Sequence, residues 1–116
     1  MIPYLDLKAQ YRNIKPEVGE AVARVLENAQ FVLGPEVARF EEAFAGYSGA
    51  PFGVAVNSGT SALHLALLAA GVGAGDEVIT VPFTFVATVA AIRYAGARPV
   101  FVDIDPRSFT MDPAGL

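Results

Sequence analysis

Apolar positions in the first part of the chain recur at the spacing of amphipathic helices. Behind Pro16 they follow an i, i+4, i+7, i+8 pattern, and charged residues occupy the opposite face. Because proline is favoured in the first turn of a helix, the pattern predicts a helix that begins at Pro16 and a second that begins at Pro35. The apolar stripes are Val18, Val22, Val25 and Leu26 in the first helix, and Val37, Phe40, Phe44 and Tyr47 in the second.

From residue 50 the pattern changes to short apolar runs that alternate with apolar segments of helical length. The segments Ser61–Ala70 and Phe85–Tyr94 are predicted as helices, each followed by glycine. Strands that are apolar on both faces and alternate with helices indicate an α/β fold with a parallel sheet. We therefore expect a helical segment over residues 1–49 and an α/β region over residues 50–116. The predicted strands are Phe52–Val56, Val78–Val81 and Val100–Val102.

The amino-acid composition favours some classes of protein and argues against others. Hydrophobic residues make up 53% of the chain and charged residues 17%, which favours buried strands and helices, or surface that meets a partner. The net charge of −4 and the scattered basic residues argue against nucleic-acid binding. The absence of cysteine excludes disulfides and thiolate metal sites, and it is compatible with the cytoplasmic location that we expect.

No membrane or secretion signal is visible in the sequence. The N-terminal residues MIPYLDLKAQYR carry charges and lack the continuous apolar region of a signal peptide. The charge-free stretch Val78–Ile92 is interrupted by Pro82 and is too short to span a bilayer. We therefore expect no association with a membrane.

The sequence NSGTSAL at residues 57–63 follows the first predicted strand and opens the next helix. Backbone N–H groups in such a turn have no partner within the helix and lie at the positive end of its dipole, so they bind anions. Ser58, Thr60 and Ser61 add hydroxyl groups, and Gly59 lets a ligand approach the backbone closely. Ordinary N-capping is the alternative, but one hydroxyl is enough for a cap. Three hydroxyls around a glycine suggest a phosphate site as well.

A second glycine-rich stretch, GVGAGD at residues 71–76, has a different interpretation. It lacks the final spacing of G-x-G-x-x-G, and it lies between a helix and a strand instead of between a strand and a helix. We interpret it as the end of a helix followed by a turn.

The sequence VPFTFVAT at residues 81–88 connects the second predicted strand to the next helix. In an open parallel sheet this loop and NSGT lie at the same carboxyl edge, which is where ligands bind. An aromatic side chain in this loop would stack on a flat ring. The alternative is an ordinary contribution to the hydrophobic core, and the residues alone leave both interpretations open.

Three further residues have ordinary interpretations. Asp103 and Asp105 follow the third predicted strand and would suit a cation or a ring nitrogen, but Asp before Pro is also common turn chemistry. His64, the single histidine, lies among Ala and Leu in the middle of a predicted helix, where packing is favoured over catalysis. The sequence suggests no Ser-His-Asp triad, paired-carboxylate site or metal cluster.

Taken in order, five segments resemble the N-terminal part of the DegT/DnrJ/StrS family: YLDLKAQY, FVLGPEVARFEEAFA, NSGTSALHLAL, GAGDEVITVPFTFVAT and GARPVFVDID. This family consists of pyridoxal-phosphate-dependent aminotransferases, most of which act on nucleotide-linked keto-sugars. The resemblance extends over essentially the whole chain. It implies fold type I of these transferases, an aspartate-aminotransferase-like large domain with a mostly parallel sheet and flanking helices, of which the chain carries the first part.

The resemblance also implies roles for individual residues. Gly59, Thr60 and Ser61 would bind the 5′-phosphate of pyridoxal phosphate, and Phe85 would stack on its pyridine ring. Glutamate would donate an amino group to the cofactor, which would pass it to a ketone carbon of a nucleotide-linked sugar. The full-length enzyme would be a homodimer.

The main difference between this chain and the family pattern concerns the catalytic lysine. That lysine forms the resting Schiff base, acts as acid and base, and lies well downstream in a much longer protein. The chain contains only Lys8 and Lys15, both upstream of the cofactor motifs, so we assign no catalytic residue. We interpret the chain as a truncated portion of an aminotransferase that is inactive alone. The alternatives are a sugar dehydratase of the same family, in which that lysine is replaced, and a non-catalytic anion-binding module.

The family topology has a further implication for the first predicted strand. In this fold, strands supplied later in the chain separate the first strand from the second and third. Phe52–Val56 is therefore expected to lack lateral neighbours, which would leave its backbone groups without partners and its apolar surface exposed.

Overall fold

The computed structural model describes residues 4–116, which form four α-helices, two β-strands and one short 3-10 helix. They divide into two compact units, one that ends at Ala55 and one that extends from Val56 to Leu116. The predicted boundary between residues 49 and 50 stays a prediction. The elements are α1 (Leu7–Asn28), α2 (Pro35–Ser48), α3 (Gly59–Ala69), β1 (Glu77–Thr80), α4 (Val86–Tyr94), β2 (Arg98–Phe101) and the 3-10 helix Pro113–Gly115.

Helix α1 begins at Leu7, so the predicted start at Pro16 is wrong. The carboxylate of Asp6 accepts a hydrogen bond from the backbone N–H of Ala9 at 3.0 Å and thereby caps the helix. The capped helix continues through Pro16, although proline removes one backbone donor and crowds the preceding turn. Proline is favoured at a helix start but does not require one, and here the aspartate cap sets the start.

Helix α2 begins at Pro35, as the sequence predicted. The rings of Phe40 and Phe44 stack with their centroids 5.5 Å apart, and the Phe44 and Tyr47 centroids are 6.5 Å apart. The predicted stripe is therefore present, and these three rings are exposed in the part of the chain that the structure describes.

An ion-pair cluster joins α1 and α2. Glu36 accepts hydrogen bonds from Arg24 at 3.1 Å and from Arg39 at 2.6 Å. The hydrogen bond from Arg24 is the largest of the effects that lower the pKa of the Glu36 carboxyl below its ordinary value. Because all three side chains are solvent-accessible, the cluster contributes little to stability.

The predicted strand at Phe52–Val56 does not form, and no strand pairs with this segment among residues 4–116. Phe52 and Val54 are 85% and 84% exposed. One backbone group of the segment is satisfied by a side chain, since the Ala55 N–H donates to Glu41 Oε1 at 2.8 Å. A strand needs a neighbouring strand for its backbone hydrogen bonds, so this apolar run stays irregular.

The second unit contains a parallel pair of strands, as the sequence predicted. Strands β1 and β2 pair from Glu77 opposite Arg98 to Thr80 opposite Phe101, within two residues of the predicted bounds. Helix α4 connects the two strands and packs against both of them and against α3. The buried residues of this unit are mostly small: Thr80, Ala91, Ile92, Ala95 and Ala97.

Helices α3 and α4 lie close to their predicted positions. Gly71 and Gly96 follow them with φ angles of 79° and 88°, which confirms that glycines end these helices. The turn interpretation of GVGAGD is also confirmed, because the Gly73 N–H donates to the Asp76 carboxylate at 2.8 Å. No helix within residues 4–116 combines the length and apolar character needed to cross a membrane.

We expect residues 4–116, produced alone, to unfold without a cooperative transition and to aggregate. The buried residues are mostly alanines, so the apolar area buried on folding does not offset the loss of chain entropy. Calorimetry, together with the binding of a dye that reports exposed apolar surface, measures this directly. A sharp, reversible melt of the purified monomer would contradict the prediction.

Candidate functional site

The turn that precedes α3 arranges its polar side chains in a chain of hydrogen bonds. Ser58 is the N-cap residue, and its Oγ accepts from the backbone N–H of Ser61 at 3.1 Å. The Ser58 hydroxyl donates to Ser61 Oγ at 3.0 Å, and the Ser61 hydroxyl donates to Asn57 Oδ1 at 2.8 Å. The hydroxyls of Ser58 and Ser61 are therefore engaged within the turn, where they fix its shape.

Gly59 and Thr60, the first two residues of α3, keep their donors available. Within residues 4–116, no hydrogen bond involves either backbone N–H or the Thr60 hydroxyl. Apart from the two neighbouring residues and the backbone of α3 itself, a methyl group added at Gly59 would meet no atom within 4 Å, so the space beside the helix start is open. Unpaired N–H groups at the positive end of a helix dipole are the donors that an anion requires.

A cavity of about 520 Å³ lies against this turn and against the first turn of α4. Its volume falls in the range of small-molecule sites. It brings the start of α3 together with the start of α4, so the positive ends of two helices border one space. None of its lining residues is acidic. They are Gly59, Thr60, Ala62, Leu63, Phe85, Ala87 and Thr88.

Phe85 holds the N-cap position of α4, and its side chain is 76% exposed. Its ring carries no acceptor, so no side chain caps this helix. The hydroxyls of Thr84 and Thr88 lie 2.9 Å apart in the same turn and hydrogen-bond to each other. Phe85 is therefore not a core residue of this unit, and its ring borders the cavity, where a flat ligand would stack on it.

Three of the four cofactor-binding residues that the sequence predicted thus lie at one cavity. Gly59, Thr60 and Phe85 line the cavity, whereas Ser61 does not. Sequence reasoning missed Asn57, which holds the Ser61 hydroxyl, and Thr88, which lines the cavity. A signal existed for Thr88, because it lies one helical turn after Thr84 in the same motif.

The other polar residues that the sequence singled out make local contacts. His64 is half-buried and makes an edge contact with Tyr94, with ring centroids 5.8 Å apart. Asp105 accepts hydrogen bonds from the Arg107 backbone at 2.7 Å and guanidinium at 3.2 Å, and Asp103 accepts one from the next backbone N–H at 2.8 Å. Within residues 4–116, no three potential ligands cluster closely enough to hold a metal ion.

Comparison with known proteins identifies the family. Residues 12–116 match the model of the DegT/DnrJ/EryC1/StrS aminotransferase family. The chain belongs to this family. It is 46% identical over 113 residues to UDP-2-acetamido-2-deoxy-3-oxo-D-glucuronate aminotransferase of Pseudomonas aeruginosa, a match that covers 97% of this chain and 32% of that protein.

Solved structures of family relatives share the fold of the chain. DesV of S. venezuelae superposes with a TM-score of 0.91 at 44% identity, over 98% of this chain and 31% of that one. NtdA of Bacillus subtilis, with bound cofactor PMP, gives a TM-score of 0.89 at 32% identity, over 99% of this chain and 27% of that one. The chain thus spans about a third of the length of these relatives and corresponds to their N-terminal portion.

Replacing the cap should loosen the start of α3. We expect Ser58→Ala to cost about 1 kcal/mol of local helix stability, because the backbone N–H of Ser61 loses its acceptor. Hydrogen exchange of the first-turn amides in the full-length protein measures the effect. Ser48→Ala, at the end of α2, is the matched control. Equal exchange at the start of α3 in the two variants would show that Ser58 is not the cap.

Proposed function

We propose that the chain forms the phosphate-binding and ring-binding part of a pyridoxal-phosphate-dependent aminotransferase with a fold type I large domain. The full-length enzyme would transfer an amino group from glutamate to a nucleotide-linked keto-sugar. The observation that carries the proposal is the cavity between the start of α3 and the exposed Phe85 ring. A relative named for a UDP-sugar substrate and one with bound PMP support it. A cytoplasmic homodimer remains part of the prediction.

The polar end of the cavity fits a phosphate group. The backbone N–H groups of Gly59 and Thr60 and the Thr60 hydroxyl supply three donors, and phosphate oxygens accept hydrogen bonds readily. Because two helices begin at the cavity, both dipoles favour the negative charge. Ser61 contributes indirectly in this arrangement, since its backbone N–H and hydroxyl hold the turn in shape.

The apolar part of the cavity fits a planar heteroaromatic ring. Phe85 presents an exposed face to it, while Ala62, Leu63 and Ala87 add aliphatic surface. Offset stacking on an aromatic ring contributes about 0.5–1.5 kcal/mol beyond the burial of area. A cofactor held at its phosphate and against Phe85 would be fixed at two points, which sets the orientation of its ring.

The chain supplies binding and orientation but no proton transfer. Pyridoxal phosphate, when bound, supplies the electron sink for chemistry at the carbon–nitrogen bond. Gly59 and Thr60 would anchor it, and Phe85 would cover one face of its ring against water. Lys8 and Lys15 both lie in the first unit, and neither matches the Schiff-base position of the family. We therefore assign no catalytic residue to residues 4–116.

A methyl group added at Gly59 distinguishes an effect on folding stability from an effect on cofactor binding. Gly59→Ala should leave stability unchanged or raise it by up to about 1 kcal/mol, because alanine favours helix and the site is open. The affinity of the full-length protein for pyridoxal phosphate should fall roughly tenfold, because the added methyl group hinders the close approach of the phosphate to the backbone and weakens one charge-assisted hydrogen bond. Absorbance titration and thermal melting measure the two effects.

Gly46→Ala is the control for this experiment, since Gly46 also lies in a helix with no atom within 4 Å of an added methyl group. It should bind pyridoxal phosphate like the wild type. Wild-type affinity in Gly59→Ala would argue against phosphate binding at the start of α3.

Replacing the Phe85 ring tests the stacking. We expect Phe85→Ala to weaken pyridoxal phosphate binding about two- to tenfold and Phe85→Tyr to retain it, because tyrosine keeps the aromatic face. Inorganic phosphate, which has no ring, should compete equally well in both variants. Phe52→Ala removes another exposed ring that does not line the cavity and serves as the control. Equal weakening by Phe52→Ala and Phe85→Ala would contradict the stacking role.

A further inference from the structure

Phe109 adopts a backbone conformation that bulky residues rarely adopt, with a φ of 57°. It lies in the loop of a small hairpin whose arms meet at a bridge between Ile104 and Met111. Its N–H donates to the Asp105 carbonyl at 2.9 Å, and the Asp105 N–H donates to the Thr110 carbonyl at 2.9 Å. Glycine or asparagine adopts this conformation at much lower cost. The backbone alone would favour another residue, so we look to the phenylalanine side chain for the reason that it occupies this position.

The ring of Phe109 contacts the ring of Phe83. Their centroids lie 6.1 Å apart and their planes are inclined by 36°. The two side chains are still 62% and 65% exposed, so the contact does not bring either ring into the core of the unit. Phe83 belongs to the loop between β1 and α4, and only Thr84 separates it from Phe85. The hairpin therefore reaches the loop that carries the ring at the cavity.

The hairpin is held by its own hydrogen bonds. The Asp105 carboxylate accepts from the backbone and side chain of Arg107, and these bonds lower the pKa of Asp105 below its ordinary value. The Asp112 N–H donates to the Asp103 carbonyl at 3.0 Å. These hydrogen bonds fix the turn at several points, so it is able to keep Phe109 in a strained conformation. Strained residues of this kind are concentrated at functional sites.

The loop before α4 has few restraints of its own. The Thr84 N–H donates to the Pro82 carbonyl at 2.9 Å, and the hydroxyls of Thr84 and Thr88 hydrogen-bond to each other. Neither contact involves the side chain of Phe83 or Phe85. Phe83 is restrained by the contact of its ring with Phe109.

We propose that Phe109 is a positioning residue, whose ring restrains the loop between β1 and α4 through Phe83 and so holds Phe85 at the cavity. The inference rests on the proposed function, because Phe85 is the residue proposed to stack on the cofactor ring. It explains why a strained turn carries phenylalanine instead of glycine. Glycine would relieve the backbone but would remove the contact that orders the loop.

The test uses the full-length protein with Phe109→Gly, which removes the strain and the ring together. We expect equal or higher thermal stability but faster amide exchange at residues 83–88 in the cofactor-free protein. Affinity for pyridoxal phosphate should fall about three- to tenfold, and the visible circular dichroism of the bound cofactor should change. Affinity for inorganic phosphate should stay the same, because the start of α3 is untouched.

Two further variants test whether loss of the Phe109 ring causes the effects of Phe109→Gly. Phe109→Tyr keeps the aromatic ring and should restore wild-type exchange, affinity and dichroism. Phe83→Ala should reproduce the effects of Phe109→Gly without altering the strained turn. The double variant Phe83→Ala/Phe109→Gly should be no worse than either single variant, since both remove the same contact.

The outcomes separate this inference from the proposed function. If the wild type binds pyridoxal phosphate and Phe109→Gly matches it in affinity, dichroism and exchange, the positioning role is wrong and the proposed function stands. If Phe109→Gly loses stability and phosphate affinity together, Phe109 is a structural residue and the positioning role is again wrong. If the wild type does not bind pyridoxal phosphate, the proposed function fails, and amide exchange at residues 83–88 still decides whether Phe109 restrains the loop.

Discussion

Because β1 and β2 run parallel, the chain has to return from the end of β1 to the start of β2, and α4 makes that return. The N-terminus of α4 therefore lies beyond the carboxyl end of β1. Helix α3 packs on α4 and begins at the same cavity. The positive ends of two helix dipoles consequently border one space, and the position of the α4 start follows from this parallel pairing.

Capping and ligand binding are not competing roles in the turn before α3, because different residues perform them. Ser58 satisfies the N–H of Ser61, and the Ser61 hydroxyl is held by Asn57. The donors of Gly59 and Thr60 then remain directed outward from a turn that is already ordered. Preorganisation of this kind reduces the entropy lost when a ligand binds. Adjacent small residues of this turn thus serve two purposes, since some cap the helix and others present donors to a ligand.

Much of the second unit could be predicted from the sequence because its signals are local. Apolar runs and glycine stops located β1, β2, α3 and α4, and the motif residues Gly59, Thr60 and Phe85 meet at the cavity. The start of α1 was missed, since the cap at Asp6 overrides the preference of Pro16. The conformation of Phe109 could not be predicted, because the sequence SFT contains no residue that favours positive φ.

The segment Phe52–Val56 shows where local signals are insufficient. Its composition is that of a buried strand, but pairing depends on strands from elsewhere, and no strand pairs with it among the described residues. The Ala55 N–H is instead held by the Glu41 carboxylate. A second copy that paired along this run would have to displace that carboxylate, and each copy would bring the same negative charge to the shared ladder. Pairing of this apolar run with a second copy would therefore cost each copy the hydrogen bond between the Ala55 N–H and the Glu41 carboxylate.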